Sequence, residues 1–140
     1  AVTVSTPPPG TGTTARREAA DRAQRESAAV ADAKRLVAEN RAAAAKKLLL
    51  PLAVPGAGRE VRKQLLETAV LTKDYRLAVE QGDLLAPFRE GEEVSMFYVS
   101  VGLYETGRKA EARALAERCV AKLRSSAYLD YYAKRILGGP

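Results

Sequence analysis

The side chains that most often carry catalysis are nearly missing from this 140-residue chain. It has no histidine, and with histidine go the usual general base near neutral pH and the commonest metal ligand. The single cysteine, Cys119, allows no internal disulfide. Its place among small apolar neighbours reads as core packing rather than as a reactive thiol. No cluster of histidine and cysteine exists to hold a metal. Gly102 and Gly107 follow no strand signal and lack the lysine and hydroxyl of a phosphate-cradling loop. The run Pro7-Pro8-Pro9, closed by Gly10, is three residues long and reads as a stiff linker rather than a polyproline ligand. The expectation is a chain that is not an enzyme and uses no cofactor and no metal. What remains is the chemistry of recognition: tyrosine faces and hydroxyls, and charged groups of both signs.

The scaffold for such groups is visible as a helical plan that recurs at a fixed offset. Lys73-Asp74-Tyr75-Arg76-Leu77-Ala78 aligns with Gly107-Arg108-Lys109-Ala110-Glu111-Ala112. Upstream, Leu65 pairs with Val99 and Ala69 with Leu103. Downstream, Gly82 pairs with Ala116, Leu85 with Cys119 and Ala86 with Val120. Each pair is small or apolar, as two helices packed into a hairpin and stacked on the next hairpin require. The composition agrees, since alanine, leucine, lysine, arginine and glutamate are strong helix formers.

A helix-turn-helix unit of about 34 residues resembles the tetratricopeptide repeat. The second unit carries more of the likeness, with Met96, Val99, Ser100 and Leu103 along its first helix. Gly107 follows as the helix-ending glycine and Ala112 as the small residue of the second helix. The first unit departs from the pattern, with Lys73 where the turn glycine belongs and Gly82 where a large apolar residue is usual, although Tyr75 suits the turn. The resemblance implies an all-α fold: a short right-handed α-solenoid of helical hairpins, preceded by one long helix and an extended N-terminal tail.

Along the chain, residues 1–13 form an extended Pro-rich tail, in which Val2 and Val4 have the alternation of an edge strand that could add to a partner. Residues 14–50 read as one long Ala-rich helix of about 36 residues, roughly 54 Å at 1.5 Å per residue. Ala23, Val30 and Val37 recur on it every seven residues, and with Ala44 they make a stripe of small apolar side chains. Residues 51–58 make a Pro/Gly turn. The greasy segment from Leu48 to Val54 is far shorter than the roughly 20 residues a bilayer crossing needs. Residues 59–140 hold the repeats and a terminal capping helix, with helices predicted at 59–72, 75–86, 91–105, 109–124 and from about 126 to 137. Ser125 or Ser126 is the expected cap of the last helix. Ala133 and Leu137 follow Val99 and Leu103 at the repeat offset, so this helix resembles half of a further unit.

In tetratricopeptide-like arrays the first helix of each unit lines a concave groove. The resemblance therefore implies a partner-binding groove made of Lys63, Glu67 and Val70, then Phe97, Val101 and Tyr104, then Tyr128, Tyr131 and Arg135. Four of the eight aromatics fall in this set, and tyrosines on wet surfaces are frequent contact residues. The function expected is a non-catalytic protein–protein interaction scaffold or assembly subunit that docks a protein or peptide. The alternative is an oligomerisation module, in which the stripe of Ala23, Val30 and Val37 pairs with a neighbouring copy. A weaker alternative is a basic accessory factor for nucleic acid. The net charge is +6, and the excess lies mainly on residues 14–50. There the basic residues alternate with Glu18, Asp21, Glu26, Asp32 and Glu39, which suits a solvated face better than an unbroken basic stripe. Ala1 followed by a Pro-rich tether, with no hydrophobic signal region, slightly favours an exported or periplasmic mature form over a cytoplasmic one.

Overall fold

The structure is a computed structural model that describes residues 12–138. The tail with Val2 and Val4 lies outside those residues. All regular structure among the described residues is helical: α1 (Gly12–Ala38), α2 (Ala42–Leu49), α3 (Arg59–Leu71), α4 (Tyr75–Leu85), α5 (Glu93–Glu105), α6 (Lys109–Cys119) and α7 (Ala127–Leu137). Short 3-10 turns follow α2 and α6 at Leu50–Leu52 and Val120–Lys122. No described helix is long and apolar enough to cross a membrane.

The long helix expected over residues 14–50 is instead two helices. The chain reverses at Asn40, which takes the left-handed conformation with φ 61°. There the Asn40 N–H donates to the Val37 carbonyl at 3.0 Å and the Arg41 N–H to the Leu36 carbonyl at 2.8 Å. This pair of bonds satisfies carbonyls that a helix end would otherwise leave open. Asn adopts the conformation at low cost because its short polar side chain tolerates it. From there α2 packs back on α1.

The same turn closes α3 and α5. Lys73 (φ 63°) and Gly107 (φ 89°) take the place of Asn40. Asp74 N–H donates to Ala69 O at 2.7 Å, and Arg108 N–H to Leu103 O at 2.8 Å. The acceptors Leu36, Ala69 and Leu103 thus follow one another at the same interval, to within a single position. In each following helix one alanine, Ala45, Ala78 or Ala112, is fully buried at the same offset from the turn. The described residues therefore form three hairpins, α1–α2, α3–α4 and α5–α6, followed by α7.

Two apolar cores meet at α3. Val61 and Leu65 join Ala29, Val30, Ala33, Ala45 and Leu49 in the first. Leu66, Ala69 and Val70 join the second, which runs through α4 and α5 to Leu129, Tyr132 and Ile136 of α7. Helix α4 approaches α5 closely. A Cβ on Gly82 would stand 2.6 Å from a Val99 methyl, and one on Gly102 would stand 3.2 Å from the Ala78 Cβ. That contact accounts for glycine at position 82, where the repeat pattern calls for a larger side chain.

Helix α7 is capped by Ser126, whose hydroxyl accepts from the Leu129 N–H at 3.1 Å. Its buried residues are Leu129, Tyr132 and Ile136. Ala133 and Leu137, which follow the buried Val99 and Leu103 at the repeat offset, are only half-buried. The last helix is thus set one residue earlier than the repeat offset implies.

Candidate interaction surface and the charged cavity beside it

Helices α3, α5 and α7 carry the groove residues proposed from sequence, and packing divides that set. Val70, Phe97 and Val101 are buried in the second core, with Phe97 also lining an apolar pocket between α5 and α7. The cause is rotation: neighbouring positions on a helix differ by about 100°, and the core takes the faces carrying these three. Lys63, Glu67, Tyr104 and Tyr128 are half-buried, while Arg135 is exposed and Tyr131 is 50 % exposed.

The residue missed on this surface is Tyr98, beside Phe97. Its hydroxyl donates to Glu67 Oε2 at 3.3 Å, while Gln64 Nε2 donates to Glu67 Oε1 at 2.7 Å. Burial, and then the Glu67 charge and hydrogen bond, push the Tyr98 phenol well above its ordinary range. Ring contacts run from Tyr98 through Phe97 and Tyr128 to Tyr132, and on to Tyr104 and Tyr131, with centroids 5.0 to 6.4 Å apart. Such offset and edge contacts suit the ring quadrupoles. Tyr132 donates to Glu105 at 3.0 Å. At the outer end the Arg135 guanidinium lies 3.4 Å from the Tyr131 ring centre, and Lys109 Nζ lies 5.5 Å from that of Tyr104. Between α5 and α7 opens an apolar pocket of about 370 Å³, lined by Leu71, Val94, Tyr98, Leu123, Arg124 and Tyr128 among others.

A larger cavity, of about 690 Å³, lies between α1, the start of α3 and the α4–α5 loop. One wall is Glu92, buried at 7 % exposure. Arg59 grips it with Nε to Oε2 at 2.9 Å and Nη2 to Oε1 at 2.5 Å. The Arg89 N–H donates to Oε1 at 2.7 Å, and Lys63 Nζ stands 3.6 Å from Oε2. The Arg59 hydrogen bond, outweighing the cost of burial, holds the Glu92 carboxyl down at about 2. The sequence carried little sign of this pair, since opposite charges so distant along the chain make no local pattern. Glu26 of α1 accepts from the Gly58 N–H at 2.9 Å and ties α1 to the same region.

The oligomerisation stripe on α1 faces this body. Val30 is buried in the first core, Val37 is half-buried against it, and the exposed Ala23 lines the cavity. Helix α1 folds against α2 and α3, which uses Val30 and Val37 within the chain.

Cys119 is fully buried, and burial pushes its thiol up to about 11, so at neutral pH it is protonated and a weak nucleophile. No group of His, Cys, Asp or Glu able to hold a metal occurs among the described residues. Their buried side-chain nitrogens and oxygens all have hydrogen-bond partners, so no orphaned polar atom asks for a ligand. The chain matches no family model, no curated protein and no solved structure.

Proposed function

We propose that the chain is a non-catalytic docking scaffold of tetratricopeptide type, an assembly subunit that binds a protein or peptide. In this reading the hairpins stack as a short right-handed solenoid, and α3, α5 and α7 present the groove. The observation that supports it most is the turn at Asn40, Lys73 and Gly107, which recurs at a nearly constant interval and is followed each time by a fully buried alanine. Stacked helical units of this kind characteristically build extended binding surfaces. The contact residues proposed are Lys63, Glu67, Tyr98, Tyr104, Tyr128, Tyr131 and Arg135.

The test is capture of a binding protein on the immobilised chain, compared with Tyr131→Ala and Tyr128→Ala. The expected result is a defined protein held by the wild type and lost from both variants, with the melting temperature of Tyr131→Ala nearly unchanged. Capture that ignores both substitutions would remove this surface from the function. Self-association through α1 is the weaker reading. Residues 14–28 are exposed except for the half-buried Glu26, but alanine is the sole apolar residue type there, so pairing would bury little area. A stable homodimer in light scattering, lost on Ala23→Glu, would favour it.

A further inference from the structure

We propose that the outer part of α1 is a strap over the charged cavity, and that Glu26 is the latch that holds it closed. Residues 14–28 form this part of the helix, and Glu26 alone among them is even half-buried. The first α1 side chains in the core are Ala29 and Val30. Among the described residues, 14–28 make no ion pair. Their one side-chain hydrogen bond joins the Glu26 carboxylate to the Gly58 N–H at 2.9 Å. The first turn of α1 holds no acid to offset the helix dipole. A helix of about 15 residues without tertiary packing is marginal in water. The outer part of α1 therefore depends on that one bond and on the buried turns behind it.

The bond fills a gap in the start of α3. The cap residue there is Gly58, which has no side chain to offer and leaves the helix without a side-chain cap. In a capping box, the third residue of the helix is a glutamate or glutamine that accepts from the N–H of the cap residue. Here that place belongs to Val61, which is 1 % exposed and committed to the first core. Glu26 takes over the glutamate's role from another helix, so the start of α3 is capped only while α1 lies in place. The strap is also a wall of the cavity, where Ala23, Glu26 and Ser27 join Arg59, Val61 and Glu92 in the lining. Lifting residues 14–28 removes that wall and opens the cavity toward Val61 and the Arg59–Glu92 pair.

The test is amide hydrogen exchange by NMR on the full chain, with a neutral gadolinium chelate as a soluble probe of the Val61 methyls. Glu26→Ala should speed exchange over 14–28 roughly tenfold, as loss of a hydrogen bond to a charged group implies. The relaxation that the probe causes at Val61 should rise with it. Exchange in α5 to α7 and the melting temperature should stay close to the wild type. Glu26→Gln keeps an oxygen acceptor and should fall between wild type and Glu26→Ala. Exchange over 14–28 that ignores Glu26→Ala would remove the latch. Faster exchange there with Val61 no more accessible would show that α1 does not cover the cavity, and would overturn the strap. Acceleration shared equally by α2 would make Glu26 a general tie of the first hairpin, and would overturn it as well.

Discussion

The first hairpin and the α5–α7 region are closed or flanked by the same turn but filled with different material. Around α1 and α2 the buried side chains are Ala29, Val30, Ala33, Ala45 and Leu49, and among the described residues no aromatic packs against them. Around α5 and α7 they include Met96, Phe97, Leu103, Leu129, Tyr132 and Ile136, with Tyr98, Tyr104 and Tyr128 packed at the edge. Small side chains let helices approach closely but bury less apolar area, at about 25 cal/mol per Å². The first hairpin compensates with polar ties: Glu26 to Gly58, and Lys46 to Asp74 at 3.5 Å. The region rich in large side chains also supplies the tyrosine surface. Backbone geometry sets the hairpin, and the size of the side chains sets how much apolar area it buries.

The largest test of that contrast is truncation of one buried side chain on each side. Phe97→Ala should cost about 3–5 kcal/mol in global stability, measured by urea unfolding, and Leu49→Ala about 2–5 kcal/mol. The contrast lies in where the loss appears. Amide hydrogen exchange should show Leu49→Ala opening α1 and α2 while α5 to α7 keep their protection, because local units open independently when few contacts join them. Uniform acceleration along the chain would show a single cooperative unit and break the distinction.

A second test concerns the charge network between the two regions. Glu92 is held at about 2 against an ordinary 4.5. Above about pH 4.5 the carboxylate is charged in both the folded and unfolded chains, and its full contribution is present. Between 4.5 and 2 the unfolded chain takes up the proton first, so the contribution is lost as pH falls through that window. The loss is on the order of 2–3 kcal/mol. The urea midpoint should fall in this range for the wild type, and Glu92→Gln should be less stable at pH 6 with a shallower fall. Parallel curves for the two proteins would mean that the ion pair adds nothing.

The sequence made the two regions unequally legible. Helices α3 to α7 stood out because Pro55-Gly56-Ala57-Gly58 and Gly107 punctuate them, and because pairs such as Leu65 with Val99 and Ala69 with Leu103 share a phase; all four are buried. The first hairpin was hidden for two reasons. Its turn residue is Asn40, set among helix formers, and its buried Ala45 ends the run Ala42-Ala43-Ala44-Ala45, where no single alanine shows a phase. On the candidate surface, Lys63, Glu67, Tyr104, Tyr128, Tyr131 and Arg135 remain at least partly accessible, but Val70, Phe97 and Val101 went to the core. These three lie on the face turned to the core; apolarity alone does not say which of two adjacent faces the core takes. Tyr98 was missed on the same ground, as a neighbour of the core residue Phe97.

The smallest expected effects come from the turns themselves, and they ask whether the three hairpins are equivalent. A left-handed backbone costs a side chain such as lysine roughly 1–2 kcal/mol, and glycine returns part of that through its greater freedom when unfolded. Lys73→Gly should therefore stabilise the chain by about 0.5–1 kcal/mol. Asn40→Gly should gain less, because asparagine already tolerates the conformation. Gly107→Ala should cost about 1 kcal/mol. Apart from its two chain neighbours, no residue has an atom within 4 Å of a Cβ built at Gly107, so that change isolates backbone strain from steric contact. Differential scanning calorimetry on the three variants gives the order directly. A gain at Asn40 as large as at Lys73 would mean that side-chain tolerance is not what lets asparagine stand in the first turn. The absence of a glycine there would then need an origin other than local backbone energy.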